Sequence, residues 1–260
     1  HAVEVHDASL DYTEKPDRYA RQVSAELSEF CGYIVKRDSP SCGMEGVSVH
    51  EGETVPPVRR GVGVFTARLM AERPGLPFED EGRLADPLLR QNFICRIFTM
   101  ARWQEMKAEG LVKQRLLEFH ARHKFLILAH HEATYRELGR ILSDLSAADV
   151  ESIAATYLDL LMQGLRHLVS PGKHANVLMH LMGFVKDRLS PEEKSALLRL
   201  IDAHQRGEVP VMTPINLLNQ LLQRYPHEYI SRQYYLRPAP AELMLSNGDE
   251  ARVGTMTSPY

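Results

Sequence analysis

Cysteine is scarce in this sequence. Only Cys31, Cys42 and Cys95 occur in 260 residues, with neither a C-x-x-C pair nor the spacing of a disulfide framework. A disulfide-stapled scaffold is excluded, and the expected setting is a reduced, cytoplasmic one. Long apolar runs are also missing. None approaches the roughly 18 residues that a membrane span requires, so no membrane partner is expected. Neither sign of charge dominates: 31 Lys and Arg stand against 34 Asp and Glu, a formal charge of −3. No global basic field draws in nucleic acid, and any such binding needs a local patch. No internal repeat is found.

What is present has ordinary globular composition, 44% hydrophobic and 25% charged. It falls into two regions of different character. Residues 2–6 alternate apolar and polar, as a strand does. Residues 17–30 place Tyr19, Val23, Leu27 and Phe30 at helical spacing. Strands are predicted at 32–36, near Val47–His50 and at Leu76–Phe78, an exposed loop over 51–60, and a helix from Gly61 to about Glu72. This alternation predicts an α/β unit. From about residue 82 the pattern is helical, with helices predicted near 83–109, 112–130, 133–143, 148–168, 174–188, 191–206 and 213–224. Ser190-Pro191-Glu192-Glu193 combines a cap, a proline at the first position and acids in the first turn. Thr213-Pro214 repeats the device. The predicted fold is therefore an α/β N-terminal domain with an incomplete, Rossmann-like open sheet, followed by an all-α helical bundle. The boundary is expected near 105–112, giving domains at 1–108 and 109–245 and a flexible tail at 246–260.

The most chemically pointed stretch is Lys36-Arg37-Asp38-Ser39-Pro40-Ser41-Cys42-Gly43. A strand that ends in such a loop exposes backbone N–H groups and a thiol at a sheet edge, where chemistry is done. Gly61-x-Gly63 precedes a helix, with Arg59 and Arg60 adjacent. Its N–H groups could hold an anion, although glycines so placed more often serve packing. Seven of the twelve histidines lie between positions 120 and 180. His123 and His130 share a helix face with Leu116, Phe119, Leu126 and Ile127, and His120 and His131 share the neighbouring one. One reading is a polar pocket in the bundle, for a metal or a phosphate. The other is core histidines with one hydrogen bond each, and the lack of a Glu-x-x-His pattern favours it. Tyr225, Tyr229, Tyr234 and Tyr235, with Arg232 and Arg237, could stack on bases, but more often staple a C-terminal segment to a bundle.

These residues carry a family resemblance. Lys36-x-x-Ser39-Pro40-Ser41-Cys42-Gly43 followed by Gly61-x-Gly63-x-Phe65 resembles the bacterial thiouracil desulfidase family (TudS). Phe119-His120-x-x-His123-Lys124-Phe125, Lys173-His174-x-Asn176-Val177-Leu178-Met179-His180 and Pro210-x-x-Thr213-Pro214 resemble the YbgA-like domain often fused behind it. The resemblance implies a 4Fe-4S cluster on three cysteines, with an open iron that takes the sulfur of a thiolated pyrimidine base or nucleotide. Water then replaces sulfur without net redox change. A thiophilic metal with one open position suits that chemistry. Carried over, Cys42 is one cluster ligand, and Ser39 lies beside the open iron, orienting water or relaying a proton. Lys36, Ser41, Gly43, Arg60, Gly61 and Gly63 line the substrate, with the Ser41 and Gly43 N–H groups bonding cluster sulfides. His120, His123, Lys124, His130, His174, Asn176 and His180 form a possible helical-domain pocket, with tRNA a possible partner there.

The family's other two cluster cysteines have no counterpart here, since Cys31 and Cys95 match no ligand position and are expected to be structural. The sequence opens at His1 in sheet-like sequence. Either a segment of roughly 70–90 residues, judged from typical domain size, belongs before it, or this form has lost the cluster. The chain by itself is expected to be inactive. The alternative function is a nucleotide- or tRNA-binding helical module whose α/β partner is structural.

Overall fold

The computed structural model describes residues 10–49, 58–143, 145 and 150–244. The strand predicted at 2–6, the first part of the loop at 51–60 and the tail from 246 lie outside them. The chain divides into two compact units, His1–Gln104 and Glu105–Tyr260. As the sequence predicts, an α/β region is followed by a helical one.

In the first unit, α1 (Glu14–Glu26) opens with Glu14 and Asp17 at its positive N-terminal end and continues as a short 3₁₀ turn at Leu27–Glu29. Strand β1 (Tyr33–Val35) follows, then the Ser39–Gly43 loop, β2 (Val47–Val49) and β3 (Val58–Gly61). The loop predicted through Arg60 thus gives way to a strand at Val58. Strands β2 and β3 pair antiparallel, with Val47 opposite Gly61. Helix α2 (Val64–Glu72) leads to β4 (Phe78–Asp80), which lies parallel to β1 with Tyr33 opposite Phe78 and Val35 opposite Asp80. Parallel strands need a long crossover, and the segment containing α2 supplies it. Ala20, Leu27, Val35, Phe65, Leu69, Leu76 and Phe78 form the core beneath the pair, at 0–6% exposure.

Helix α3 (Pro87–Ala108) is pinned to β4 by charge. Glu79 is 3% exposed and accepts from Arg83 Nε at 2.6 Å and Arg96 Nη2 at 3.3 Å. Arg96 is itself 5% exposed and donates to Asn92 Oδ1 at 2.9 Å. A buried carboxylate persists only when paired in this way.

The second unit is built of α4 (Lys113–His130), α5 (Glu132–Ser143), α6 (Val150–Leu165), α7 (Pro171–Gly183), α8 (Pro191–Gln205), α9 (Met212–Arg224) and a single turn, α10 (Glu228–Ser231). Helix α4 is central and packs on α5, α6 and α7. Its buried face carries Leu116, Phe119, His123, Leu126, Ile127 and His130, the predicted stripe. Helix α8 starts with a full capping box: Glu193 N–H donates to Ser190 Oγ at 3.2 Å, and Ser190 N–H to Glu193 Oε2 at 2.9 Å. No helix among the described residues is long and apolar enough to cross a membrane.

Candidate functional site

The Ser39–Gly43 loop leaves the C-terminal end of β1, the end at which parallel α/β sheets present ligand sites. Asp38 starts the turn in the left-handed region at φ 58°, a conformation that short polar side chains tolerate. Arg59 pairs with its carboxylate. The chain then closes tightly. Gly43 N–H donates to Ser39 O at 2.7 Å and Cys42 N–H to Ser39 Oγ at 3.2 Å. Ser39 Oγ lies 3.2 Å from Ser41 Oγ, which lies 3.3 Å from Cys42 Sγ. Two hydroxyls and a thiol therefore form one hydrogen-bonded row.

Helix α2 is docked onto this loop. Gly63 N–H donates to Gly43 O at 2.8 Å, Val64 N–H to Pro40 O at 3.3 Å and Phe65 N–H to Ser41 O at 2.9 Å. Thr66 Oγ1 donates to Cys42 O at 2.7 Å. The first-turn N–H groups that a helix leaves unsatisfied are thus taken by loop carbonyls. These bonds favour the packing role expected more often of Gly61 and Gly63 over an anion site there. Gly61 sits in β3, where a Cβ would come within 2.6 Å of Val49 Cγ2. At Gly63 a Cβ would come within 2.4 Å of the Ser41 carbonyl carbon and oxygen. Both glycines serve close approach. The Gly43 N–H, expected to face cluster sulfide, is likewise committed within the loop.

The cations expected around the loop are directed elsewhere. Lys36 Nζ lies 3.4 Å from Glu81 Oε1, and Arg37 N–H donates to Glu81 Oε2 at 2.7 Å. That backbone bond, then Lys36, holds the Glu81 carboxyl below its ordinary range. Arg60 is exposed on β3. Two neighbours of the thiol went unread in the sequence. Thr66 is one, hidden in an ordinary helix start. Tyr33 is the other: burial raises its phenol, and Cys42 followed by Tyr19 adds to the effect. An aromatic in a short strand carries no signal of that position.

A three-cysteine cluster needs three thiolates around one cavity. Cys31 Sγ bonds Gln104 Oε1 at 3.2 Å, and Cys95 is buried in α3, where desolvation pushes its thiol up to about 11. Among the described residues no group of three or more His, Cys, Asp or Glu side chains is placed to hold a metal. These residues do not make a cluster site; Cys42 offers one thiol.

In the helical unit the predicted residues separate. His123 Nδ1 donates to Phe119 O at 2.7 Å, and His130 Nδ1 donates to His167 O at 2.6 Å. His174 Nδ1 lies 2.9 Å from the buried Tyr235 hydroxyl. A carbonyl only accepts, so the first two imidazoles carry their proton on Nδ1. Burial, with smaller effects of His204 and His130, pushes His174 down to about 3. His131 lies beyond the end of α4 rather than on its face, and stacks on His167 with centroids 4.2 Å apart. Asn176 and His180 are exposed on α7. His120 and Lys124 instead line a cavity of about 480 Å³ with Tyr135, Arg136 and Tyr229. Burial, then Lys124, pushes His120 down to about 4, and its Nδ1 lies 3.0 Å from the Tyr157 hydroxyl. The tyrosine-rich end staples onto α4: Arg122 lies 4.3 Å over the Tyr234 ring, and Tyr234 N–H donates to Arg122 O at 2.9 Å.

Residues 2–81 match the sequence model of a family described as 2-thiouracil desulfurase. Residues 124–240 match that of a family described as a protein of unknown function (DUF1722). The chain is 31% identical over 153 residues to the uncharacterized protein YbgA of Escherichia coli (strain K12), an alignment spanning 58% of this chain and 90% of that protein. The chain belongs to the YbgA family. Ahead of its YbgA-like region it carries a 2-thiouracil desulfurase region, the fusion that the loop and helix motifs suggest. No solved structure matches it.

Proposed function

We propose that the α/β unit removes sulfur from a thiolated uracil, as base or nucleotide, at the Ser39–Cys42 loop. The observation that carries this reading is the hydroxyl–hydroxyl–thiol row within the desulfurase-matched region. Exchange of the thiocarbonyl sulfur for the oxygen of water, with sulfide leaving, needs protons handled nearby. Cys42 provides the thiol, and Ser39 and Ser41 provide exchangeable protons, their hydroxyls 3.2 Å apart and Ser41 Oγ 3.3 Å from the sulfur. In the finer reading the reaction is iron–sulfur-dependent and non-redox, and Cys42 is one thiolate of three, the other two being neither Cys31 nor Cys95. Without them the chain is inactive.

The test is iron, acid-labile sulfide and 2-thiouracil turnover on protein isolated anaerobically from its own cells, alongside Cys42→Ser. Iron and sulfide release from 2-thiouracil are expected together and are lost together in the variant. Turnover by iron-free protein sinks the cluster reading. Iron-loaded protein with no turnover sinks the desulfurase reading.

A second reading, nucleotide or tRNA binding by the helical unit, is favoured by one observation. The cavity of about 480 Å³ is lined by Lys124, Arg136, Tyr135 and Tyr229, with Lys124 Nζ 5.9 Å over the Tyr135 ring, and cations with stacking surfaces suit a nucleotide. Uridine nucleotides and tRNA are expected to bind the full chain with a salt-dependent affinity that Lys124→Ala weakens. Binding that ignores both salt and the variant excludes this reading.

A further inference from the structure

A different cavity in the helical unit, about 370 Å³ in volume, lies where α4 meets the segment around α10. Its lining is unusual in what it leaves unbonded. Arg122 Nε, His227 Nδ1 and Gln233 Oε1 are buried and have no hydrogen-bond partner. Gln233 is only 2% exposed, and its amide orientation is fixed: Nε2 donates to Ala121 O at 2.9 Å and Tyr229 O at 3.1 Å, which turns Oε1 the other way. Folded proteins bond nearly all buried polar atoms, so three on one lining call for an explanation. The other charged side chains of the lining pair with one another. Arg232 pairs with Glu118 and lies 3.6 Å from Glu228, so the formal charges of Arg122, Arg232, Glu118 and Glu228 cancel.

We infer that this cavity is a binding site for a small neutral molecule presenting an amide or imide edge. The three atoms define what fits. Arg122 Nε–H can only donate, Gln233 Oε1 can only accept, and the role of His227 Nδ1 depends on its tautomer. The ligand must therefore carry both a carbonyl-type acceptor and an N–H donor, as an amide or imide edge does. A carboxylate or phosphate answers Arg122 but meets the Gln233 oxygen with a lone pair, and the balanced lining gives an anion no net attraction. A hydrocarbon answers none of the three. The three atoms are covered from solvent, and in this proposal the ligand reaches them as the exposed Glu118, Glu228 and Arg232 side chains turn aside. Exposed ion pairs hold so weakly that this rearrangement costs little. The site is separate from the Ser39–Cys42 loop and stands whether or not desulfuration takes place there.

Uracil is the probe, since its imide edge alternates acceptor and donor, and 1,3-dimethyluracil is the control, with the same ring and no N–H. Calorimetric titration into the full chain is expected to show uracil binding at least tenfold tighter than the control. Arg122→Lys keeps a cation by Tyr234 and removes the Nε–H, and His227→Phe keeps a ring against Phe184 and removes Nδ1. Each is expected to weaken uracil binding at least fivefold with no fall in the melting temperature of the free protein, because the deleted atoms had no partner to lose. In Cys42→Ser the affinity is expected to be unchanged. Equal binding of uracil and its dimethyl form, binding indifferent to both cavity variants, loss of binding in Cys42→Ser, or no uracil binding at millimolar concentration would each overturn the inference.

Discussion

Single atoms decide how the thiol loop is held. Gly63 has no Cβ because the Ser41 carbonyl occupies its place at 2.4 Å. Gly63→Ala must displace backbone, and overpacking of this kind costs on the order of 1–3 kcal/mol or more. Urea unfolding is expected to show that loss, and the reactivity of Cys42 toward a thiol reagent is expected to rise as the loop is pushed out. The comparison is Gly139→Ala on exposed α5, where nothing lies within 4 Å; it is expected to be neutral or to stabilise by up to about 1 kcal/mol. Thr66→Val tests the other tie. The variant keeps the shape at a fully buried position and removes the bond to Cys42 O. A loss of about 1–2 kcal/mol is expected by the same measurement. Of this site, the sequence made the loop and its thiol legible, because Ser-Pro-Ser-Cys-Gly is rich in residues that do local chemistry. It hid Tyr33 and Thr66, which matter only through the crossover that folds distant positions onto the loop.

Elements were legible where their ends carry chemistry. Helix α8 was expected from Ser190-Pro191-Glu192-Glu193 and begins at Pro191 with both capping bonds made. Ser190→Ala is expected to cost about 1 kcal/mol, read as a lower urea midpoint with unchanged slope. At α7 the same Ser-Pro device, Ser170-Pro171, starts the helix three residues before the predicted 174, and the helix stops at Gly183 rather than continuing to 188. There the apolar period runs on past the end of the hydrogen-bonded helix, into Val185, which is buried as part of a following turn. Strand β3 was missed because its burial pattern is exposed throughout most of its length, and its partner β2 is settled by tertiary pairing. Turn α10 is one turn long and leaves no periodic trace.

At the scale of the molecule, the described histidines are segregated. Every histidine among the described residues lies in the Glu105–Tyr260 unit. His120 and His174 are pushed down to about 4 and about 3 from an ordinary 6.5. Above pH 6.5 neither folded nor unfolded chain binds a proton at these sites, and stability is unaffected by them. As pH falls through 6.5 toward 4 and 3, the unfolded chain takes up protons that the folded chain refuses, and stability is lost at up to about 1.4 kcal/mol per pH unit per histidine. Acid is therefore expected to loosen the helical unit first. Trp103, the single tryptophan, is 5% exposed and belongs to the other unit. Between pH 6.5 and 4 the far-ultraviolet helical signal is expected to fall before Trp103 emission shifts, and His174→Gln is expected to move the first transition to lower pH. Coincident transitions would show that the two units unfold as one.

The docking of α2 onto the loop has one more consequence. Because the carbonyls of Pro40, Ser41 and Gly43 are the acceptors for Val64, Phe65 and Gly63 N–H, the loop backbone that carries the thiol cannot shift without releasing those amides. Deuterium uptake at positions 63–65 is thus a built-in gauge of the loop. Whatever seats itself against Cys42 and stiffens it slows exchange there, and whatever pries it open quickens exchange, with no label attached to the site itself.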